Sequence, residues 1–152
     1  MSTSAVIALA ALASPLTAQK TTLTLAGGTV TFPAPTATDY SAGYVYSTTG
    51  VTFSLDATTG VSRTTTVSIR ATSANLGNGK VIGELEWRRS DLATWSPITL
   101  SDAQVEQRIM IRNTANDPWG NTIFFRMKLS WTSDAPGVYS ANYQVTLSQT
   151  VP

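Results

Sequence analysis

The chain has 152 residues, with ten Lys and Arg against nine Asp and Glu, no His and no Cys. This length suits one domain with a sizeable core. Because it has neither His nor Cys, the sequence lacks the usual ligands for zinc, copper and haem, and it has no imidazole base and no thiol. Charged residues make up 12% of the chain, about half the usual ~25%, and the near-zero net charge gives no strong field to attract nucleic acid or an anionic membrane.

The N-terminal segment has the pattern of a secretory leader. Residues 5–13 are an apolar run, followed by Pro15 and Ala18. A run this short does not span a bilayer as a helix, which needs ~20 residues. We expect a signal peptide over residues 1–18 and a single mature domain over 19–152. Because no Lys or Arg precedes the run, two alternatives stay open: a short amphipathic or buried N-terminal helix, and a retained segment that packs on a neighbouring subunit.

The start of the mature chain predicts a tight β-hairpin over residues 21–32. Gly27-Gly28 supplies the positive φ angles that a two-residue turn needs. The predicted cross-strand pairs are Leu25–Val30 and Leu23–Phe32. An aromatic stretch follows after two prolines, with Tyr40, Tyr44 and Tyr46 all at even-numbered positions.

The middle of the chain alternates apolar and polar residues, which predicts half-buried strands. The predicted inward rows are Val51, Phe53 and Leu55; Val61, Val67, Ile69 and Ala71; Leu85 and Trp87; and Val105, Ile109 and Ile111. Asn78-Gly79 is a turn dipeptide. A hairpin closed only by these two residues would set Ile69 against Arg88, so we expect either a longer connection or strands that do not pair directly.

The strongest alternation lies in the C-terminal quarter of the chain. The apolar residues fall on odd positions in two runs, Ile123, Phe125, Met127, Leu129 and Trp131, then Tyr139, Ala141, Tyr143, Val145 and Leu147. A period of two places each run on one face of a strand. We predict an antiparallel hairpin with the pairs Trp131–Tyr139, Leu129–Ala141, Met127–Tyr143 and Phe125–Val145, all facing one core.

These patterns predict an all-β fold, a two-sheet antiparallel β-sandwich of about nine or ten strands. The alternation is one-sided, as expected for sheets with one wet face. No linker divides the chain, so we expect one domain.

The candidate catalytic residues are few. Glu84 and Glu86 are spaced like the two carboxylates of a glycosidase. The favoured interpretation is a solvated strand face, neutralised by Arg88, Arg108 or Arg112. A Ser-Lys dyad would need one of Lys20, Lys80 or Lys128, and no flanking motif supports it. The sequence therefore predicts no enzyme, no catalytic residue and no cofactor.

The exposed aromatic residues are the candidate ligand contacts. Trp95 and Trp119 lie at predicted loop edges, and with Tyr40 and Tyr44 they form a candidate carbohydrate-binding set. The alternative is that both Trp side chains cap the open ends of the sandwich. Trp87 and Trp131 are predicted to lie in the core.

Two further polar groups carry weaker predictions. Asn113, Asn116, Asp117 and Asn121 offer oxygen ligands in one loop, but their order does not match a calcium-binding loop, and a turn is favoured over a metal site. Arg88-Arg89 lacks the interleaved aromatic residues that suit nucleic acid. We therefore predict no bound metal and no nucleic-acid partner.

The segment Trp131-x-x-Asp134-x-Pro136-Gly137-x-Tyr139 resembles the last hairpin of exported bacterial immunoglobulin-like sandwich domains, including fimbrial-subunit-like surface proteins. The resemblance covers about the last thirty residues. It implies a periplasmic, secreted or cell-surface location and a structural or assembly role. It differs from strand-donating fimbrial subunits, because the chain has a full final strand and no Cys. The expected partners are further copies of the chain through sheet edges or, alternatively, a glycan, with no integral membrane segment in the mature chain.

Overall fold

The computed structural model describes residues 20–26, 30–58, 63–77, 79–110, 119–134, 139 and 141–150. The predicted signal peptide, residues 1–18, lies outside these ranges, as do Gly27-Gly28, Val61 and Ile111. The described residues form an all-β sandwich of antiparallel sheets packed on one core, which confirms the predicted fold, with eleven strands in place of nine or ten.

The larger sheet has six strands: β1 (Lys20–Ala26), β2 (Tyr44–Tyr46), β3 (Val51–Thr58), β7 (Leu85–Arg89), β8 (Ser96–Pro97) and β10 (Trp119–Lys128). Its order is β1-β3-β10-β7-β8, and β2 pairs with β10 beyond the end of β3. The smaller sheet has the order β11-β4-β9. Its strands are β4 (Arg63–Ala71), β9 (Ala103–Met110) and β11 (Tyr143–Thr150).

A small hairpin, β5 (Asn75–Gly77) with β6 (Lys80–Val81), lies between β4 and β7. Gly77 pairs with Lys80, and Gly79 has a φ of 81°, which suits the predicted turn, whose other residue, Asn78, lies outside the described residues. A 3₁₀ turn, Ile82–Glu84, leads into β7. Because β4 and β7 lie in different sheets, they do not pair directly, which is the second alternative given by the sequence.

One short helix, α1 (Ala37–Ala42), precedes β2. Its start is a capping box, in which the Thr36 hydroxyl accepts from the Asp39 amide at 3.3 Å and the Asp39 carboxylate accepts from the Thr36 amide at 2.8 Å. Gly43 ends the helix in the left-handed conformation, with a φ of 81°. Tyr40 therefore lies on a helix, whereas the sequence places it in an aromatic stretch with two strand residues.

Strand β10 forms the centre of the core. It bonds to β2 and β3 on one side and to β7 on the other. Its odd-numbered residues point inward, as predicted, and its buried side chains are Trp119, Ile123, Phe125 and Met127. Full burial of one large apolar side chain stabilises the fold by about 1.5–3 kcal/mol.

The predicted pairing of the two C-terminal strands is wrong, but the prediction that their apolar side chains face one core is correct for the residues within the strands. β10 and β11 belong to different sheets, and β11 pairs with β4, with Val145 opposite Ile69. Phe125 and Tyr143 meet across the core, with ring centroids 5.3 Å apart. Alternation specifies the apolar face of a strand but not the neighbour to which the strand bonds. A common core can therefore be predicted when the strand pairing is not.

Trp131, predicted to be inward, is 63% exposed. β10 ends at Lys128, and the Asp134 carboxylate accepts from the Ser130 amide at 2.7 Å, which turns the chain away from the sheet. Beyond the strand the alternation no longer decides which way a side chain points. Trp131 instead stacks on Tyr40, with ring centroids 4.7 Å apart.

The predicted N-terminal hairpin is also not formed by residues 23–32. β1 pairs with β3, so that Leu23 lies opposite Leu55 and Leu25 opposite Phe53. Residues 30–32 are not in a strand, although Val30 is buried. The same apolar side chains thus meet a different partner strand.

Ile109, predicted to be inward, points outward because of a β-bulge. Val67 of β4 opposes Glu106, whereas the next residue of β4 opposes Gln104, which leaves Val105 as the extra residue. Beyond the bulge the alternation is shifted by one residue. Ile109 is consequently 67% exposed.

The shift at the bulge predicts a difference between two identical substitutions. We expect Ile123→Ala, at a fully buried position, to lower the free energy of unfolding by about 2–5 kcal/mol. We expect Ile109→Ala to change it by less than about 0.5 kcal/mol. Urea unfolding of both variants measures the difference. Equal losses would show that Ile109 belongs to the core.

Candidate functional site

The outer face of the larger sheet carries a group of aromatic and cationic side chains. The even-numbered residues of β10 reach this face, because its odd-numbered residues fill the core. In the register of the sheet, Arg126 lies opposite Tyr46 of β2 and Glu86 of β7, and Phe124 lies opposite Arg88. Side chains opposite each other in neighbouring antiparallel strands share a face and touch.

Arg126 is held firmly in this face. Its guanidinium carbon lies 3.8 Å from the centroid of the Tyr44 ring and 4.6 Å from that of Trp95. Its Nε and Nη2 each lie 2.7 Å from Glu86 Oε2. Stacking on aromatic rings and a charge-assisted contact at two nitrogens both fix the planar guanidinium group.

Arg88 is stacked in a similar way but has a different charge environment. Its guanidinium carbon lies 5.0 Å from the Trp95 centroid and 5.4 Å from the Phe124 centroid. Nη1 donates to the backbone carbonyls of Arg89 at 3.2 Å and Leu92 at 2.7 Å. Among the described residues, no carboxylate lies within ion-pair distance of Arg88.

A surface pocket of about 170 Å³ lies beside Arg88. It is lined by Tyr46, Ser47, Arg88, Trp95, Phe124 and Phe125. Tyr46 is 53% exposed, and its ring lies 5.9 Å from that of Trp95. We call the set that builds this surface the arginine–aromatic cluster; it consists of Tyr44, Tyr46, Arg88, Trp95, Phe124 and Arg126.

The four predicted aromatic contacts fall at three places. Trp95 and Tyr44 belong to the arginine–aromatic cluster, and Tyr40 stacks on Trp131 at the surface. Trp119 is 4% exposed and packs edge-on against Phe53. The guanidinium carbon of Arg108 lies over the Trp119 ring, 4.9 Å from its centroid. Trp119 therefore does not join an exposed aromatic surface; its position fits the alternative, in which the ring caps the end of the sandwich.

Sequence reasoning missed Tyr46, Phe124 and both arginines of the cluster. The signal was present in the spacing Phe124-x-Arg126-x-Lys128, which places one aromatic and two cations on the face opposite the core residues. Tyr46 of β2 and Arg88 of β7 could not be placed beside Arg126 and Phe124, because the strand order was not known.

The two candidate catalytic carboxylates do not form a pair. Glu86 is on β7 and is 6% exposed, with Oε1 3.0 Å from Lys128 Nζ and Oε2 on Arg126. Burial opposes its charge, but hydrogen bonds from Lys128 and Arg126 prevail and lower the pKa of Glu86 below its usual value. Glu84 lies in the 3₁₀ turn and pairs with Lys80. Lys80, Arg126 and Lys128 thus take the place expected for Arg88 and Arg108, and Arg112 lies outside the described residues.

Lys80 forms a buried polar centre. Its Nζ lies 2.7 Å from Asp134 Oδ2, 2.8 Å from Glu84 Oε1 and 2.6 Å from the backbone carbonyl of Lys128. The side chain is 1% exposed, and that of Asp134 is 4% exposed. Burial would lower the pKa of Lys80, yet its two carboxylate partners raise it above the usual value. All three ammonium donors are used, so Lys80 stays charged and does not act as a base.

The remaining candidate residues are engaged or lie outside the described ranges. Lys128 pairs with Glu86, and the Lys20 side chain is not among the described side chains. Three of the four predicted loop oxygens, at positions 113, 116 and 117, lie outside the described residues. Asn121 Oδ1 accepts from the Ser90 hydroxyl and from the Thr122 amide. In the part of the chain that is described, no three acidic side chains are grouped to hold a metal ion.

The second basic residue of Arg88-Arg89 links the two sheets. Arg89 pairs with Asp91, and its Nη1 donates to the Val105 carbonyl of β9 at 3.1 Å and lies 3.7 Å from Glu106. The hydrogen bond from Arg89 lowers the pKa of Asp91 to about 2. Arg89 is therefore a structural cation, and Arg88 is the one that lines the pocket.

The edges of the sheets are a second candidate surface. β8 is two residues long and contains Pro97, and β9 carries Glu106, Arg108 and the bulge, so both edges are protected against pairing. β1 and β11 are the opposite edges, and neither pairs with a further strand among the described residues. β11 spans eight residues and contains no charged residue and no proline. In the part of the chain that the structure describes, the larger and the smaller sheet thus each have one protected edge, β8 or β9, and one open edge, β1 or β11.

Comparison with known proteins finds no family model, no curated protein and no solved structure that matches the chain. The likeness to exported immunoglobulin-like surface domains therefore stays a prediction from the sequence. Among the described helices, none is long and apolar enough to cross a membrane.

The buried ion pair of Lys80 predicts a large effect on stability. Lys80→Met leaves Asp134 buried without its cation, and we expect the free energy of unfolding to fall by about 3–5 kcal/mol. Lys128→Met is the matched control, because the Lys128 side chain is 45% exposed and such pairs contribute up to about 1 kcal/mol. Denaturant unfolding at neutral pH measures both. Similar small losses in the two variants would contradict the structural role of Lys80.

Proposed function

We propose that the chain is a non-enzymatic structural subunit, exported to the cell surface or periplasm, that assembles with further copies through its open sheet edges. The open edge of β11 is the observation that carries this proposal. The state of the candidate catalytic residues also supports the proposal, since Glu84, Glu86, Lys80 and Lys128 are all held in ion pairs. The leader-like residues 1–18 support export.

The edge of β11 is suited to pairing with another strand. An edge strand presents unpaired N–H and C=O groups, and proteins usually block such an edge with Lys, Pro, a bulge or a short strand. β9 and β8 use these devices, whereas β11 uses none of them. An added strand along its eight residues would form a ladder in which each hydrogen bond contributes about 0.5–1.5 kcal/mol.

The second open edge, β1, allows the assembly to continue. β1 contains one charged residue, Lys20, at its start. Pairing of β1 of one copy with β11 of the next joins two different surfaces, and such contacts build an open chain unless the rotation closes a ring. Pairing of β11 with β11 would instead stop at a dimer. We propose the first arrangement, since it uses both open edges.

A pair of double variants tests this proposal. Thr146→Lys with Ser148→Lys places two cations on the outer face of β11. Gln104→Lys with Gln107→Lys is the matched control on β9, because the four positions lie in the same two rows across β4. Sedimentation velocity and electron microscopy measure the assembly.

We expect the wild-type protein to form linear oligomers, the β11 variant to associate at least tenfold more weakly, and the β9 variant to assemble normally. A cation at an edge opposes the addition of a strand. The two new charges should therefore weaken assembly on β11 and have no effect on β9, which takes no part in the proposed contact. A wild-type protein that stays monomeric at high concentration would refute the proposal. Equal loss of assembly in both variants would refute the role of β11.

A further inference from the structure

We propose that the pocket of the arginine–aromatic cluster binds one carboxylate-bearing sugar ring of an acidic polysaccharide. This site goes beyond the assembly role, because it lies on the outer face of β2, β7 and β10 and not on either open edge. Three features of the pocket select the ligand: a free guanidinium edge, a local excess of positive charge and aromatic walls.

The guanidinium of Arg88 has donors left for a ligand. An arginine carries five N–H donors, and the described hydrogen bonds of Arg88 use only Nη1. Nε and Nη2 make up the edge that binds a carboxylate through two parallel hydrogen bonds. Stacking of Arg88 between Trp95 and Phe124 limits its rotation, so that little conformational freedom is lost when an anion binds.

The charge around the pocket favours an anion. Arg88, Arg126 and Lys128 share this face with the carboxylate of Glu86. Glu86 neutralises the two cations on β10 only in part, and it makes no described contact with Arg88. A carboxylate ligand would supply the missing partner of Arg88 in surroundings that are partly apolar, where an ion pair is stronger than in bulk water.

The walls and size of the pocket favour a single sugar ring. Its exposed aromatic walls are Tyr46, Trp95 and Phe124, and aromatic rings pack well against the apolar C–H faces of a pyranose. The volume of about 170 Å³ is below the ~300–1,000 Å³ of pockets for drug-sized ligands. One ring with its carboxylate on Arg88 fits this description, and Tyr46, which is 53% exposed, lies where the next ring of a chain would pass.

Nucleic acid is a poorer occupant of the same surface. Phosphate backbones are bound by stripes of many cations, and binding strength rises with the number of phosphates neutralised. Here three cations accompany one carboxylate, and the whole chain has a net charge of +1. The cluster therefore has the recognition chemistry for one carboxylate and lacks an extended basic track.

The test compares two forms of one ligand. Oligogalacturonate of six residues is titrated into the full chain by calorimetry, together with the same oligomer after methyl esterification, which removes the carboxylate charges. We expect the acidic oligomer to bind and the methyl ester to bind at least tenfold more weakly. No binding of the acidic oligomer, equal binding of the ester, or tighter binding of a twelve-residue oligothymidylate would overturn the proposal.

Protein variants locate the site. We expect Arg88→Gln to weaken binding of the acidic oligomer at least tenfold, and Arg88→Lys to weaken it less, because the charge stays but the two-pronged contact is lost. Arg70→Gln, on the outer face of the smaller sheet, is the matched control and should change affinity less than twofold. Far-ultraviolet circular dichroism confirms folding of each variant, and Arg88→Lys provides the test if Arg88→Gln does not fold. Full affinity in the folded Arg88 variants, or equal loss in Arg70→Gln, would overturn the site.

Discussion

The alternation of strand β10 is the constraint on which the rest of the molecule depends. This strand bonds to neighbours on both sides, so both of its faces are fixed at once. Its odd-numbered residues fill the core and its even-numbered residues carry the arginine–aromatic cluster. A slip of one residue would exchange Phe125 with Arg126 between these faces, exposing an aromatic ring and burying a charge. The core and the candidate site are therefore specified by the same hydrogen-bond register.

Ion pairs of low exposure join separate elements of the sandwich. Lys80 and Asp134 join the β5–β6 hairpin to the turn that follows β10, and Arg89 joins β7 to β9 through Glu106. Breaking such a pair on one side leaves a buried charge, which costs more than the intact pair contributes. Arg88 stands apart from these pairs, because it lines the pocket and has no described carboxylate partner.

The two proposed activities are compatible in space. In the order β1-β3-β10-β7-β8, the open edge lies at β1, whereas the pocket lies around β10 and β7. The second open edge, β11, is in the other sheet. A chain of copies joined through β1 and β11 would therefore leave every pocket on an outer face, accessible to a polysaccharide. Repetition of a weak single-ring site along such a chain would raise the overall affinity without any new contact.

The sequence predicts which residues are buried better than it predicts which strands pair. Phe125 and Val145 are correctly assigned to one core, because period-two alternation reflects burial directly. Their direct pairing is wrong, since it rests on adjacency in the chain, and the two strands lie in opposite sheets. Ile109 is misplaced by a bulge at Val105, which leaves no mark in the pattern of apolar residues. Two of the six residues of the cluster were found, Trp95 and Tyr44, and the arginines were missed because the register between β7 and β10 is a tertiary property.

Cysteine accessibility along β10 tests the central claim most directly, because the natural chain contains no Cys to interfere. Single-cysteine variants from Ile123 to Lys128 are labelled with a thiol reagent under native conditions. Rapid labelling at 124, 126 and 128 with protection at 123, 125 and 127 is the predicted pattern. Uniform rates, or protection of the even positions, would contradict the account of both the core and the site.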